Sequence, residues 1–139
     1  MKAFADSGWF LALHNKKDIH HKEALSILKK IPQEKIIVCT SDYIVDEAVT
    51  LALARTNSPE IAEALGDGIM NSKHIKILKV NEDNFRDAWI FFKEHKWNYY
   101  SFTDCTTFVL MREHSIRRAF TYDEHFRREG FEINLQVNL

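Results

Sequence analysis

The stretch SFTDCTTFVLMREHSIRRAFTYDEHF, residues 101–126, decides how the chain is read. It predicts an apolar helix from about Thr103 to His114 with Asp104 at its start. A short strand, residues 119–121, then ends at Asp123. Working outward, two further acids stand at comparable junctions: Asp6 after a strand at the amino terminus, and Glu47 in the first turns of a helix after a second strand.

Composition narrows the class. The 139 residues fit one domain, residues 1–139, with a sizeable core. Hydrophobic content of 45% and charged content of 28% describe a soluble globular chain rather than a disordered one. No apolar run approaches the length of a membrane span. Asp6 interrupts the apolar amino terminus MKAFADSGWFLAL, so export is not expected and a cytoplasmic protein is. Cys39 and Cys105 lack metal-type spacing and read as buried free thiols. A net charge of −1 gives no general affinity for nucleic acid, so any such binding has to be local.

Strands and helices alternate along the chain. Lys2–Ala5 reads as a strand running into a helix for which Ser7 is a cap. Asp18 starts a second helix with Ile19, Ala24, Leu25, Leu28 and Ile31 as its apolar stripe, ended by Pro32. The β-branched run 36–40 reads as a strand buried on both faces. Ser41 or Asp42 caps a helix to about Arg55, and Ser58-Pro59 opens another that weakens at Gly66 and Gly68. His74–Val80 alternates like an edge strand. Asn81 caps a helix with Phe85, Ala88, Trp89 and Phe92 on one face, the clearest amphipathic pattern in the sequence. A brief helix from Glu124 to Glu129 stops at Gly130, and residues 133–135 are a candidate last strand. This alternation implies an α/β fold: a mostly parallel sheet with helices on both faces.

In such a sheet the carboxyl ends of the strands share one edge, where ligands bind. Asp6, Glu47, Asp104 and Asp123 are therefore expected together. Crowded carboxylates raise one another's pKa unless a divalent cation neutralises them, and oxygen-only ligands suit Mg²⁺ or Mn²⁺. Each acid also has a structural reading. Asp6 and Asp123 serve equally as helix caps, Asp104 as the acid of a capping box begun by Ser101, and Glu47 as solvated surface. The joint pattern carries the functional case.

With these motifs in hand, the sequence resembles the small single-domain PIN nucleases of prokaryotes. FADSGWFLAL resembles the family's opening strand and Asp. Asp18, His21 and Ala24 resemble its D-x-x-H-x-x-A signature. SDYIVDEAVTLAL resembles the segment carrying its Glu, here Glu47. SFTDCTTFVLMREHSI resembles its S-x-x-D-A helix, with Cys105 where Ala is usual. TYDEHFRREGF resembles its T-x-D-x-x-F-x-x-x-G ending. The resemblance spans nearly the whole chain, except for residues 56–72. It implies a three-layer α/β/α sandwich, metal-dependent hydrolysis of RNA and, as in VapBC-type toxins, a homodimer paired with an antitoxin.

On that reading Asp6, Asp104 and Asp123 bind Mg²⁺ or Mn²⁺, and Glu47 holds a second ion or orients the attacking water. Ser7 and Thr121 hydrogen-bond the ligating carboxylates, or else serve as a cap and a strand residue. Lys16, Lys17, Arg55, Arg112, Arg117 and Arg118 are candidate phosphate contacts, against ordinary solvated surface. Trp97, Tyr99 and Tyr100 are candidates for stacking on bases, against packing in a core or an oligomer interface. His21 reads as a helix-packing residue and His125 as surface. Two other functions compete. A phosphoacceptor receiver domain needs an acidic pair at the first strand, which Asp6 does not have. A non-catalytic PIN-fold module for RNA binding or assembly usually loses one of the acids, and this chain keeps all four.

Overall fold

The computed structural model describes residues 1–137; the last two residues of the expected single unit, 138 and 139, lie outside the described residues. Five strands, β1 (Lys2–Ala5), β2 (Ile37–Ser41), β3 (Ile75–Leu78), β4 (Arg118–Phe120) and β5 (Glu132–Ile133), form one sheet in the order β3-β2-β1-β4-β5. All pairings are parallel, with Phe4 opposite Cys39 on one side and Ala119 on the other. Seven helices connect them: α1 (Ser7–His14), α2 (His21–Gln33), α3 (Asp42–Thr56), α4 (Pro59–Met70), α5 (Glu82–Glu94), α6 (Phe102–Glu113) and α7 (His125–Arg128).

The chain steps outward from β1 to β2 to β3, then returns to lay β4 and β5 on the other side of β1. Right-handed crossovers put α1–α4 on one face and α5–α7 on the other. The packing agrees, with α1–α4 against one another and α5 against α6. This is the expected three-layer sandwich. The strand order reverses between β1 and β4, which opens a crevice at their carboxyl ends.

Several local expectations are corrected. Asp6, not Ser7, occupies the cap position of α1. The second helix begins at His21 rather than Asp18, because Asp18 closes a turn by accepting from the His20 amide at 2.8 Å. Its buried residues are Ala24 and Ile27, while Ile19 is 91% exposed. Pro32 lies inside its last turn. Gly66 and Gly68 sit within α4 and do not end it. On α5 the buried residues are Asn84 and Ala88, and Phe85 and Trp89 are about half exposed. Part of the amphipathic face, Ala88 and Phe92, therefore packs on the core, and Phe85 and Trp89 form an aromatic ridge beside it that is open to solvent. Of the three aromatics before α6 only Tyr100 is buried; Trp97 and Tyr99 face solvent.

Candidate active site

The crevice is a cleft of about 380 Å³ lined by Asp6, Ser7, Glu47, Arg55, Tyr99, Asp104, Asp123 and His125, among others. All four sequence-predicted acids meet in it. A larger hollow of about 590 Å³ between α5 and α6 is also lined by acids, Asp83, Asp87, Glu94 and Glu113, but Asp83 pairs with Arg86 at 3.2 Å, Glu113 accepts from the Asn84 side-chain amide and Arg112 pairs with Glu129 at 3.0 Å.

Asp6 arrives at the end of β1, where its amide donates to Phe120 of β4 at 3.0 Å. Its backbone is extended, as a cap requires, yet its side chain caps nothing. Instead Oδ2 accepts from the Thr121 hydroxyl at 2.7 Å, and Oδ1 is buried with no partner. Burial foremost pushes its carboxyl up to about 7, and the charges of Asp104 and Glu47 add to this against the opposing Thr121 bond.

Asp104 sits in the first turn of α6 and is 8% exposed. Ser101 caps that helix by accepting from the Asp104 amide at 3.0 Å, which leaves the Asp104 carboxylate free. Burial and then the neighbouring Asp123 charge raise it to about 6.

Asp123 does partly what a cap does: Oδ1 accepts from the His125 amide at 2.9 Å. Glu47 is half-buried rather than solvated, and its Oε1 accepts from the Ser7 hydroxyl at 2.5 Å. Ser7 and Thr121 thus hold Glu47 and Asp6 respectively.

Two participants were not expected from the sequence. His125, read as surface, places Nδ1 3.4 Å from Asp104 and 3.3 Å from Asp123. Ligand atoms of Asp104, Asp123 and His125 all lie within 4.8 Å of one another. The signal was its position two residues after Asp123. Asn134, read as a strand residue, grips the Thr121 backbone with both ends of its amide, Oδ1 accepting at 3.0 Å and Nδ2 donating at 2.8 Å. It thereby fixes the hydroxyl that holds Asp6. Nothing local in the sequence announces that.

The basic candidates separate. Arg55 lines the cleft. Arg117 and Arg118 stand at the start of β4, on the opposite edge of the sheet, and Arg118 pairs with Glu132 at 2.6 Å. Lys16 and Lys17 lie in the exposed turn after α1. His21 behaves as expected, its Nδ1 2.6 Å from the Ala12 carbonyl.

A cation fits this donor set. One buried carboxylate oxygen has no partner, and burial and mutual repulsion hold two carboxyls well above their ordinary range. A divalent ion among them would relieve both conditions.

The PIN domain profile matches residues 3–132. The chain belongs to the PIN domain family. Within that family it is similar to the 23S rRNA-specific endonuclease VapC20 of Mycobacterium tuberculosis, at 30% identity over 128 residues, 92% of this chain and 94% of that protein. It is 27% identical to a VapC ribonuclease of Archaeoglobus fulgidus, over 91% of this chain and 80% of that protein. The crystal structure of M. tuberculosis VapC20, described as a sarcin-ricin loop cleaving toxin, superposes with a TM-score of 0.83, covering 96% of this chain and 99% of that one. The PIN fold also accounts for the all-parallel sheet and its flanking helices.

Proposed function

We propose that residues 1–139 form a single PIN-like domain that hydrolyses RNA phosphodiester bonds, an endoribonuclease using Mg²⁺ or Mn²⁺. The observation that carries this is the convergence of four carboxylates from four separate segments on one cleft, with Asp6 Oδ1 left without a partner. The VapC-type relatives, named as ribonucleases, support RNA as the substrate. Retention of all four acids favours an enzyme over a non-catalytic RNA-binding or assembly module.

Asp6, Asp104 and Asp123 would hold the ion, with Glu47 holding a second ion or orienting the attacking water. An ion held by these carboxylates would supply Lewis-acid polarisation of the phosphoryl group, a water of lowered pKa and a counter-charge for the leaving oxygen. The chain's own residues prepare the place. Thr121 fixes one oxygen of Asp6 and leaves the other free. Ser7 fixes the rotamer of Glu47. The Ser101 cap holds the first turn of α6, and His125 lies within reach of both Asp104 and Asp123. Preset side chains lose little entropy when an ion or substrate arrives.

The test is cleavage of a mixed RNA pool with Mg²⁺ or Mn²⁺, wild type beside Asp6→Asn, each with and without EDTA. Cleavage by wild type alone, lost with EDTA, is expected. Equal cleavage by the two proteins would discard the assignment.

The same relatives support a toxin that acts in the cytoplasm and is neutralised by an antitoxin protein. A homodimer is supported by the ridge of Phe85, Trp89 and Phe102, in which Phe85 and Phe102 meet at 5.1 Å and Trp89 is 50% exposed. Single helices rarely leave such aromatic surface to water. Light scattering of Trp89→Asp should report a monomer where wild type reports a dimer.

A further inference from the structure

Five non-glycine residues have left-handed backbone: Lys35, Asn57, Tyr99, Ser115 and Asn134. Asn tolerates that region, and Lys35 and Ser115 close turns at the amino-terminal edge of the sheet. Tyr99 is different. A bulky side chain at φ 59 and ψ 31 costs on the order of 1–2 kcal/mol, and such strain collects where ligands bind. Its ring recovers none of that cost within the fold. It is 78% exposed and has no aromatic partner among the described residues. Tyr100 beside it is 3% exposed, packs edge-on against Phe108 at 5.2 Å, and donates its hydroxyl to Glu129 at 2.7 Å. A one-turn 3₁₀ helix, Lys96–Asn98, closes on the other side through the Asn98 amide bond to His95 at 2.9 Å. Between these two anchors the chain turns the Tyr99 ring out at the wall of the acidic cleft.

Another lining residue is also unspent. Glu47, Leu51 and Arg55 lie at successive four-residue steps on α3 and all three line the cleft. Arg55 is exposed and its side chain makes no hydrogen bond or ion pair among the described residues, although the cleft holds four carboxylates.

We propose that Tyr99 stacks on an unpaired base of the RNA next to the reacting phosphodiester, while Arg55 contacts a flanking phosphate. The inference rests on the nuclease reading above and assigns the contacts that would hold its substrate beside the reacting bond. With a net charge of −1 the chain has no general attraction for a polyanion, so stacking and a locally placed cation add to whatever hold the bound ion has on the phosphate. A paired base hides the face that Tyr99 would cover, which is why duplex RNA is excluded.

The experiment measures binding of a single-stranded RNA of about twelve nucleotides, and of the same length of duplex, to the non-cleaving Asp104→Asn protein. The protein carries Tyr99, Tyr99→Phe or Tyr99→Asn. Tyr99→Phe should bind as the parent does. Tyr99→Asn should bind about tenfold more weakly. Its melting temperature should stay at or above the parent's, because Asn tolerates the left-handed backbone. Arg55→Gln should weaken binding and lower the salt-dependence slope by about 0.7. With Asp104 restored, Tyr99→Asn should raise KM about tenfold at unchanged kcat. Unchanged binding and KM in Tyr99→Asn, duplex bound as tightly as single strand, or no RNA bound by any version would each overturn the proposal. Cleavage that ignores Tyr99→Asn removes the stacking assignment and leaves the nuclease reading standing. Tyr99-dependent binding without cleavage by wild type does the reverse.

Discussion

Two strand-to-helix junctions on the same edge of the sheet carry similar residues and use them differently. After β2, Ser41 caps α3 by accepting from the Ile44 amide at 3.1 Å. Asp42 beside it accepts from the amides of Tyr43 at 3.1 Å and Val80 at 3.0 Å. Both side chains are committed to holding the fold. After β1, Asp6 sits in an equally extended cap position and caps nothing. One of its oxygens takes the Thr121 hydroxyl and the other is buried bare. A cap turns its oxygen toward its own helix and lowers the energy of the fold. An uncommitted carboxylate in the same place raises that energy and keeps its lone pairs for a ligand.

The hardest test of that contrast is cleavage. Asp6→Asn and Asp104→Asn should each lower RNA cleavage on the order of 10³-fold. Asp42→Asn should leave it within about threefold, since Asp42 faces only backbone amides. Equal losses at Asp6 and Asp42 would erase the distinction.

The next effect is on stability, and its sign runs against intuition. Asp6 lies at about 7 and Asp104 at about 6 in the fold, against about 3.9 for Asp in the unfolded chain. Each raised group stabilises fully below the unfolded value, and that stability is lost as pH rises through 6 to 7. The cation-free protein should therefore melt higher near pH 4 than at pH 8, as far as these two groups govern it. At pH 8 Asp6→Asn should raise the melting temperature by about 5 °C, an effect that vanishes near pH 4. Adding Mg²⁺ or Mn²⁺ should raise the wild-type value and leave the mutant's nearly unchanged. A mutant that melts lower at pH 8 would show that Asp6 holds the fold as Asp42 does.

Smaller effects sharpen the comparison. Thr121→Val frees Asp6, and Asn134→Ala frees Thr121. Each should weaken divalent-ion affinity, followed by calorimetry, by about tenfold. Ser41→Ala should cost about 1 kcal/mol in chemical denaturation and leave cleavage near wild type. Ser101→Ala should cost a similar amount of stability and also some activity, because the helix it caps carries Asp104.

The alternation of apolar runs and helical periods was enough to give the layers, the parallel sheet and the edge on which the acids meet. On α5, Ala88 and Phe92 of the amphipathic face pack on the core, while Phe85 and Trp89 are about half exposed. The pattern reports that a helix has an apolar face, not what covers it. Capping was ambiguous for a related reason. Asp at a strand end satisfies the cap rule whether or not its oxygen turns back to the helix. Asn134 stayed hidden because its partner Thr121 stands 13 residues away, and the reach of His125 to Asp104, 21 residues away, was hidden likewise, although its place beside Asp123 was visible.

What the sequence determined by itself was the order of elements and the identity of the four acids, since both follow from local spacing and residue type. Which oxygen of Asp6 is left bare, which hydroxyl holds each acid, and that Tyr99 points outward while Tyr100 points inward were decided only by the tertiary structure. Those facts depend on β4 lying beside β1, on α1 meeting α3 and on Tyr100 packing against α6. Contacts between distant segments leave no periodic trace along the chain, and the reversal of strand order that creates the cleft exists only once the sheet has formed.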